Sequence, residues 1–232
     1  MNIAIIPARS GSKRIKNKNI KVFNGKPMIS WVIEIAKIST LFDKIIVSTD
    51  TMEIANIALN AGAEVPFIRE KNLADDFTPT VPVIADALIE CGKLGLNFQN
   101  VCCLYPCSPF TNIKDLKKSY NIFLKKNLDF IYPVTEFRHS IFRCMKRGND
   151  GQMKFLYPEH ELTRTQDLEI MYHDAGQFYW GKSDAWLNNK KMHTDGNGYV
   201  IPNWRVVDID TKDDWKRAEF LFQMYKNLNF NN

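Results

Sequence analysis

The chain of 232 residues lacks several features that would each have pointed elsewhere. No stretch approaches the roughly 18 consecutive apolar residues of a membrane helix, and the opening NIAII run has no basic leader, so a cytoplasmic protein without a membrane segment is expected. Its five cysteines are an odd number without C-x-x-C spacing, which points away from a disulfide framework or zinc site and leaves buried thiols. Neither G-x-x-x-x-G-K-[ST] nor G-x-G-x-x-G occurs, which disfavours P-loop proteins and dinucleotide binders, nicotinamide dehydrogenases included. The excess positive charge is small, +5, and spread along the chain, so no nucleic-acid partner is expected.

What is present suits one α/β domain: 45% of the residues are hydrophobic, enough for a sizeable core. Short apolar runs alternate with helix-periodic segments, the pattern of βαβ units building a mostly parallel sheet. Strands are predicted at Asn2–Ile6, Lys44–Ser48, Glu64–Ile68, Val101–Leu104 and Asp129–Val134, then near Gly176–Trp180 and Arg205–Ile209. Helices are predicted near Pro27–Ser39, with Pro27 in a first-turn position, and at Met52–Asn60, Val81–Cys91, Ile113–Leu124 and Lys212–Leu228. Glu136–Trp180 breaks the alternation around a GNDG turn at Gly148–Gly151 and suggests an inserted arm or lid. The expected organisation is a single domain over residues 1–232 with residues 136–180 as an inserted dimerisation and sugar-pocket element.

In an open α/β sheet, ligands bind at the carboxyl ends of the strands. The loop after the first predicted strand, PARSGSKRIKNKN, carries Arg9, Lys13, Arg14, Lys16 and Lys18 among Ser10, Gly11 and Ser12. Clustered cations and free backbone donors are what a triphosphate of about four negative charges requires. Near the other end, Asp208 and Asp210 flank Ile209 on a predicted strand, so their carboxylates would share one face. Such a pair suits Mg²⁺, which takes one or two protein carboxylates and completes its shell with phosphates and water.

Pro7, Ala8, Arg9, Ser12, Lys13, Lys18 and Asn19 match P-A-R-x-x-S-K-x-x-x-x-K-N, and the loop resembles that of the CMP-sialic acid synthetases. The segment DIDTKDDW, Asp208 to Trp215, resembles the D-I-D-x-x-x-D-W motif of the same family. The resemblance implies a Rossmann-like nucleotidyltransferase fold of glycosyltransferase-A type, a three-layer sandwich, and a Mg²⁺-dependent transfer of CMP from CTP to a nonulosonic acid. It implies that Arg9, Ser12, Lys18 and Asn19 contact the phosphates and ribose, with Lys13 adding charge and the backbone at Ala8 and Arg9 against cytosine. Arg69, Thr78 and Thr80, in and before LADDFTPT, would read the base. Asp208 and Asp210 would be the metal ligands and, with Arg9 and Lys18, the catalytic groups; a homodimer is expected as well.

Three places look more like the pseudaminic acid branch of that family than the N-acetylneuraminate branch: Tyr105 in LYPCSPF where the latter has Gln, RTQDL at Arg164–Leu168, and YHDAGQFYWG at Tyr172–Gly181. Tyr105, Arg164, Gln177 and Phe178 are therefore the candidate sugar-pocket residues. Strand packing is the alternative for Phe178, and solvated positions for Arg164 and Gln177. Asp50 is read as structural and Cys107 as a packing thiol, while His173 is either a general base or a hydrogen-bonded structural histidine. The rival readings are an N-acetylneuraminate or legionaminate enzyme, and a non-catalytic nucleotide-binding module on the same fold.

Overall fold

A computed structural model describes the backbone through residue 230 and side chains through residue 226. In chain order the elements are β1 (Asn2–Pro7), β2 (Val22–Phe23), β3 (Lys26–Pro27), α1 (Met28–Ser39), β4 (Lys44–Ser48), α2 (Met52–Asn60), α3 (Thr80–Lys93), β5 (Asn100–Leu104) and α4 (Ile113–Lys125). There follow β6 (Phe130–Glu136), β7 (Met145–Arg147), β8 (Met153–Phe155), β9 (Tyr172–Asp174), β10 (Phe178–Lys182), α5 (Ser183–Leu187), β11 (Gly196–Val200) and α6 (Lys212–Phe230).

The main sheet has strand order β11-β6-β10-β5-β1-β4, with β9 also pairing β6. Strands β4 and β5 flank β1 in parallel, β10 runs antiparallel to β5 and β6, and β11 is parallel to β6. The side-chain alternation of a strand decides the layers. Ala4 and Ile6 of β1 pack with Ile29, Val32 and Ile33 of α1, Ile54 of α2 and Leu116 of α4. Ile3 and Ile5 point the other way, onto Ile84 and Leu88 of α3 and Trp186 of α5. The result is a helix–sheet–helix sandwich around a mostly parallel sheet.

A third apolar cluster matters more for the site. Phe222, Ala218 and Trp215 of α6 pack on Ile15, Phe23, Phe110 and Ile209, which clamps the basic loop after β1 against the segment before α6. The Asn24-Gly25 turn that carries Phe23 into this cluster has both residues at positive φ, 46° and 95°, which glycine adopts freely and asparagine tolerates.

Two predicted strands are absent. Glu64–Ile68 makes only a bridge from Glu64 to Ile46; Pro66 has no N–H to continue a ladder. Arg205–Ile209 is a 3₁₀ turn at Asn203–Arg205 followed by irregular chain. There the carbonyl of Ile209 accepts from Lys18 Nζ (2.8 Å) instead of a neighbouring strand. Pro27 is the residue before α1, not a member of its first turn. Between β6 and β9 the chain makes an excursion over residues 137–171, containing the β7–β8 hairpin and three short 3₁₀ turns.

Candidate active site

A cleft of about 940 Å³ opens at the carboxyl ends of β1 and β5. Its walls come from the loop after β1, the residues before and at the start of α3, the turn after β5, residues 173–176, and residues 206–210. It gathers Arg9, Ser12, Lys13, Lys18, Asn19, Arg69, Thr78, Thr80, Tyr105, Asp208 and Asp210 from across the chain.

The basic loop is held by Asp50, whose carboxylate accepts from the Ser10 N–H (2.8 Å) and the Ser10 hydroxyl (2.7 Å). Asn19 is buried and braces the loop from inside: its Nδ2 donates to the Arg9 carbonyl (2.8 Å) and its Oδ1 accepts from the Cys107 thiol (3.2 Å). The Ala8 methyl is fully buried, and its N–H donates to the Ser48 carbonyl, so at that position only backbone and the flanking Pro7 and Arg9 can meet a ligand.

The cations of the cleft are paired with its own carboxylates. Arg9 and Lys13 lie 2.6 and 2.5 Å from Asp76, and Arg14 and Lys18 lie 2.8 and 3.4 Å from Asp210. Contact with Lys13, then Arg9, holds the Asp76 carboxyl below its ordinary value. Asp75 caps the turn before α3, accepting from the Thr78 hydroxyl and from the N–H groups of Thr78 and Phe77, which occupies the Thr78 hydroxyl. Neither Asp75 nor Asp76 was singled out from sequence, although both stand inside LADDFTPT. No periodicity marks them, because their role is defined by cations some 60 positions away.

Asp208 and Asp210 face the cleft on either side of the buried Ile209, although no strand holds them. Burial first, then the charge of Asp210, pushes the Asp208 carboxyl up. Among the described residues Asp208 has no hydrogen-bond partner, and none form a cluster of three or more acidic, His or Cys side chains able to enclose a metal. A repelling carboxylate pair with an open side fits a cation that takes few protein ligands and several phosphate oxygens.

Arg69 is 4% exposed, yet its Nε and Nη2 atoms have no partner. Desolvation lowers its pKa, with Asp50 and Asp86 pulling the other way. These two donors lie out of reach of solvent, although the side chain forms part of the cleft wall. Thr80 Oγ1 lies 2.6 Å from the Tyr105 hydroxyl, and Tyr105 packs against Tyr179.

Three of the residues expected in the sugar pocket lie elsewhere. Arg164 is exposed and forks onto Asp167 (2.7 and 3.1 Å) in the excursion outside the cleft. Gln177 is buried; its Nε2 donates to the carbonyl of Arg205 (2.8 Å), whose guanidinium pairs with Asp115, so it braces the segment leading to Asp208. Phe178 is fully buried in the sheet core with Leu104 and Trp180. His173 does reach the cleft wall, with Nδ1 2.9 Å from the Asp174 carbonyl and its ring against Phe137. Burial raises the Cys107 thiol to about 12, which leaves it protonated at neutral pH and suits a packing role.

A three-layer α/β sandwich with a cation-lined cleft at its strand ends is the build of a nucleotidyltransferase. Among solved structures, a CMP:2-keto-3-deoxy-manno-octonic acid synthetase complexed with CTP shares the fold, with a TM-score of 0.71 at 14% identity over 97% of this chain and 99% of that one. Residues 3–194 match the cytidylyltransferase family model, and the chain belongs to that family. The pseudaminic acid cytidylyltransferase of Campylobacter jejuni subsp. jejuni serotype O:2 is 40% identical over 226 residues, 96% of this chain and 97% of that protein. The CMP-N,N'-diacetyllegionaminic acid synthase of Legionella pneumophila is 31% identical over 96% of both.

Proposed function

We propose that the protein transfers the cytidylyl group of CTP to a nonulosonic acid, pseudaminic acid, with release of pyrophosphate. The observation that carries this reading is the 40% identity to the Campylobacter jejuni enzyme across 96% of the chain. The anomeric hydroxyl of the sugar attacks the α-phosphorus; the new O–P bond forms as the bond from that phosphorus to the β-phosphate oxygen breaks, and the hydroxyl proton is lost. Arg9, Lys13 and Lys18 exchange their present carboxylate partners for phosphate oxygens. This places positive charge where the leaving group gains negative charge. With Lys18 drawn to the phosphates and Arg14 turned from its pairing as well, Asp210 would join Asp208 in holding Mg²⁺; the ion supplies charge neutralisation at the phosphates when bound. Arg69 lines the cleft, and a turn of its guanidinium would bring its unpaired donors to acceptor atoms of the base.

We place the enzyme in the cytoplasm, where CTP is made and where its five unpaired cysteines fit a reducing compartment. Among the described residues no helix is long and apolar enough to cross a membrane. We also read it as a homodimer using the excursion at 137–171, whose Phe137, Met145, Met153, Leu156, Leu162 and Ile170 are exposed apolar side chains.

The test is pyrophosphate release from CTP and Mg²⁺ with pseudaminic, legionaminic and N-acetylneuraminic acids at equal concentration. Preferred turnover of pseudaminic acid is expected. Preference for another sugar overturns the substrate, and release with none overturns the reaction. Arg9→Ala and Asp210→Ala should each lower turnover by on the order of a hundredfold or more while the protein stays folded.

A further inference from the structure

We propose that Gln177 is a positioning residue for the carboxylate pair Asp208 and Asp210. Its backbone holds one wall of the cleft and its side chain holds the other, so the gain in CTP affinity that a divalent cation brings is set through it.

Residues 206–210 line the cleft but belong to no strand, so no ladder fixes where their carboxylates stand. Downstream, the segment is held one residue after Asp208. There the Ile209 carbonyl accepts from Lys18 Nζ (2.8 Å), and the Ile209 side chain is buried with Ile15 and Trp215. Upstream, it is held three residues before Asp208. The Arg205 carbonyl accepts from Gln177 Nε2 (2.8 Å), and the buried Arg205 guanidinium donates to Asp115 in the first turn of α4. The Tyr199 hydroxyl donates to the other Asp115 oxygen (3.2 Å), which ties this upstream anchor to β11.

Gln177 also reaches the opposite wall. Its own carbonyl accepts from the Tyr105 N–H (2.9 Å), in the turn after β5 that lines the cleft through Tyr105, Pro106 and Cys107. One residue therefore sets the spacing between that turn and the carboxylate segment. The Gln177 side chain is buried, and its Oε1 has no partner. An unpaired buried oxygen costs stability, so folding alone does not favour an amide here. The one hydrogen bond this amide makes goes to the upstream anchor of the carboxylate segment.

The inference rests on the cytidylyl-transfer reading, in which Mg²⁺ lies between these carboxylates and the phosphates of CTP. Two like charges have to be held beside each other before the cation arrives, and groups that orient metal ligands commonly change metal affinity by about 10- to 100-fold.

The experiment is calorimetric titration of CTP, once in Mg²⁺ and once in EDTA, into the wild type, Gln177→Met and Asp208→Asn, with urea unfolding of each. Gln177→Met keeps the side-chain length and the backbone bond to Tyr105. It removes the orphaned oxygen while leaving the Arg205 carbonyl without its donor, so the two effects offset and the unfolding midpoint should stay near that of the wild type. Affinity in EDTA should also hold, because Arg9, Lys13 and Arg69 stand on other walls.

The ratio of the affinity in Mg²⁺ to that in EDTA should fall about tenfold or more in Gln177→Met, toward the ratio of Asp208→Asn. Equal weakening in both solutions would make Gln177 merely structural and overturn the proposal, as would an unchanged ratio. If Gln177→Met does not fold, Gln177→Asn withdraws the amide by one methylene and gives the same readout. A wild type that binds CTP equally in Mg²⁺ and EDTA overturns the metal reading and the proposal with it. Absence of pyrophosphate release with the ratios as expected sinks the transferase reading alone.

Discussion

Arg69→Met should raise the stability of the free protein and weaken CTP binding, a pairing that a merely structural arginine cannot give. Arg69 is 4% exposed, and two of its guanidinium nitrogens have no partner. Each unsatisfied buried donor costs about 1 to 3 kcal/mol, so methionine of similar length removes that cost and keeps most of the packing. The lost attraction to Asp50 and Asp86 offsets part of the gain. The Arg69 N–H to the Thr49 carbonyl is backbone and survives.

A net relief of about 1 to 3 kcal/mol corresponds to a Tm higher by roughly 2 to 12 °C for a domain of this size. Hydrogen bonds from a charged donor contribute about 1.5 to 3 kcal/mol, so CTP should bind roughly 10- to 150-fold more weakly. Differential scanning calorimetry of the free protein and titration with CTP measure both. A lower Tm with unchanged CTP affinity would refute the reasoning and make Arg69 a brace for the loop after β4.

The carboxyl of Asp208 is raised by burial and by Asp210, so the folded state keeps that proton longer than the unfolded chain does. The stability it contributes is fully present below the ordinary value of about 3.9 and is lost as pH rises through the raised value. Asp208→Asn should therefore match the wild type in urea unfolding near that lower limit and exceed it at neutral pH; a variant less stable at neutral pH would count against the charge repulsion. Thiol alkylation at mildly alkaline pH should modify the exposed Cys144 and spare Cys91, Cys102, Cys103 and Cys107, whose thiols burial pushes up, to about 11 for Cys91 and about 12 for Cys107. Turnover should survive that treatment and also Cys107→Ala, whereas its loss in a folded Cys107→Ala would restore a chemical role for the thiol.

Strands β1 and β4, and helices α1 and α2, were readable because burial on a sheet or one helix face imposes a period on the chain itself. The hairpin at Asn24-Gly25 carries a signal of its own in the sequence, since Asn-Gly is a strong turn former. Strand β11 hid because Gly196 and Gly198 leave it no apolar alternation, and Glu64–Ile68 misled because β-rich composition says nothing about whether a partner edge is available.

The candidate site divides along the same line. The order of residues in Pro7–Asn19 and Asp208–Trp215 by itself marked a cation-rich loop and a carboxylate pair, since charge type and spacing are properties of the chain. Only the tertiary structure put Asp76 on Arg9 and Lys13, brought Ile209 against Ile15 so that Lys18 meets Asp210, and set Thr80 on Tyr105 and Tyr179 on Asp174. It also turned Gln177 and Phe178 inward and left Arg164 on Asp167. Local sequence fixes which chemical groups a segment carries, but direction and partner are set by packing between distant segments, where burial energy and hydrogen-bond satisfaction are decided together.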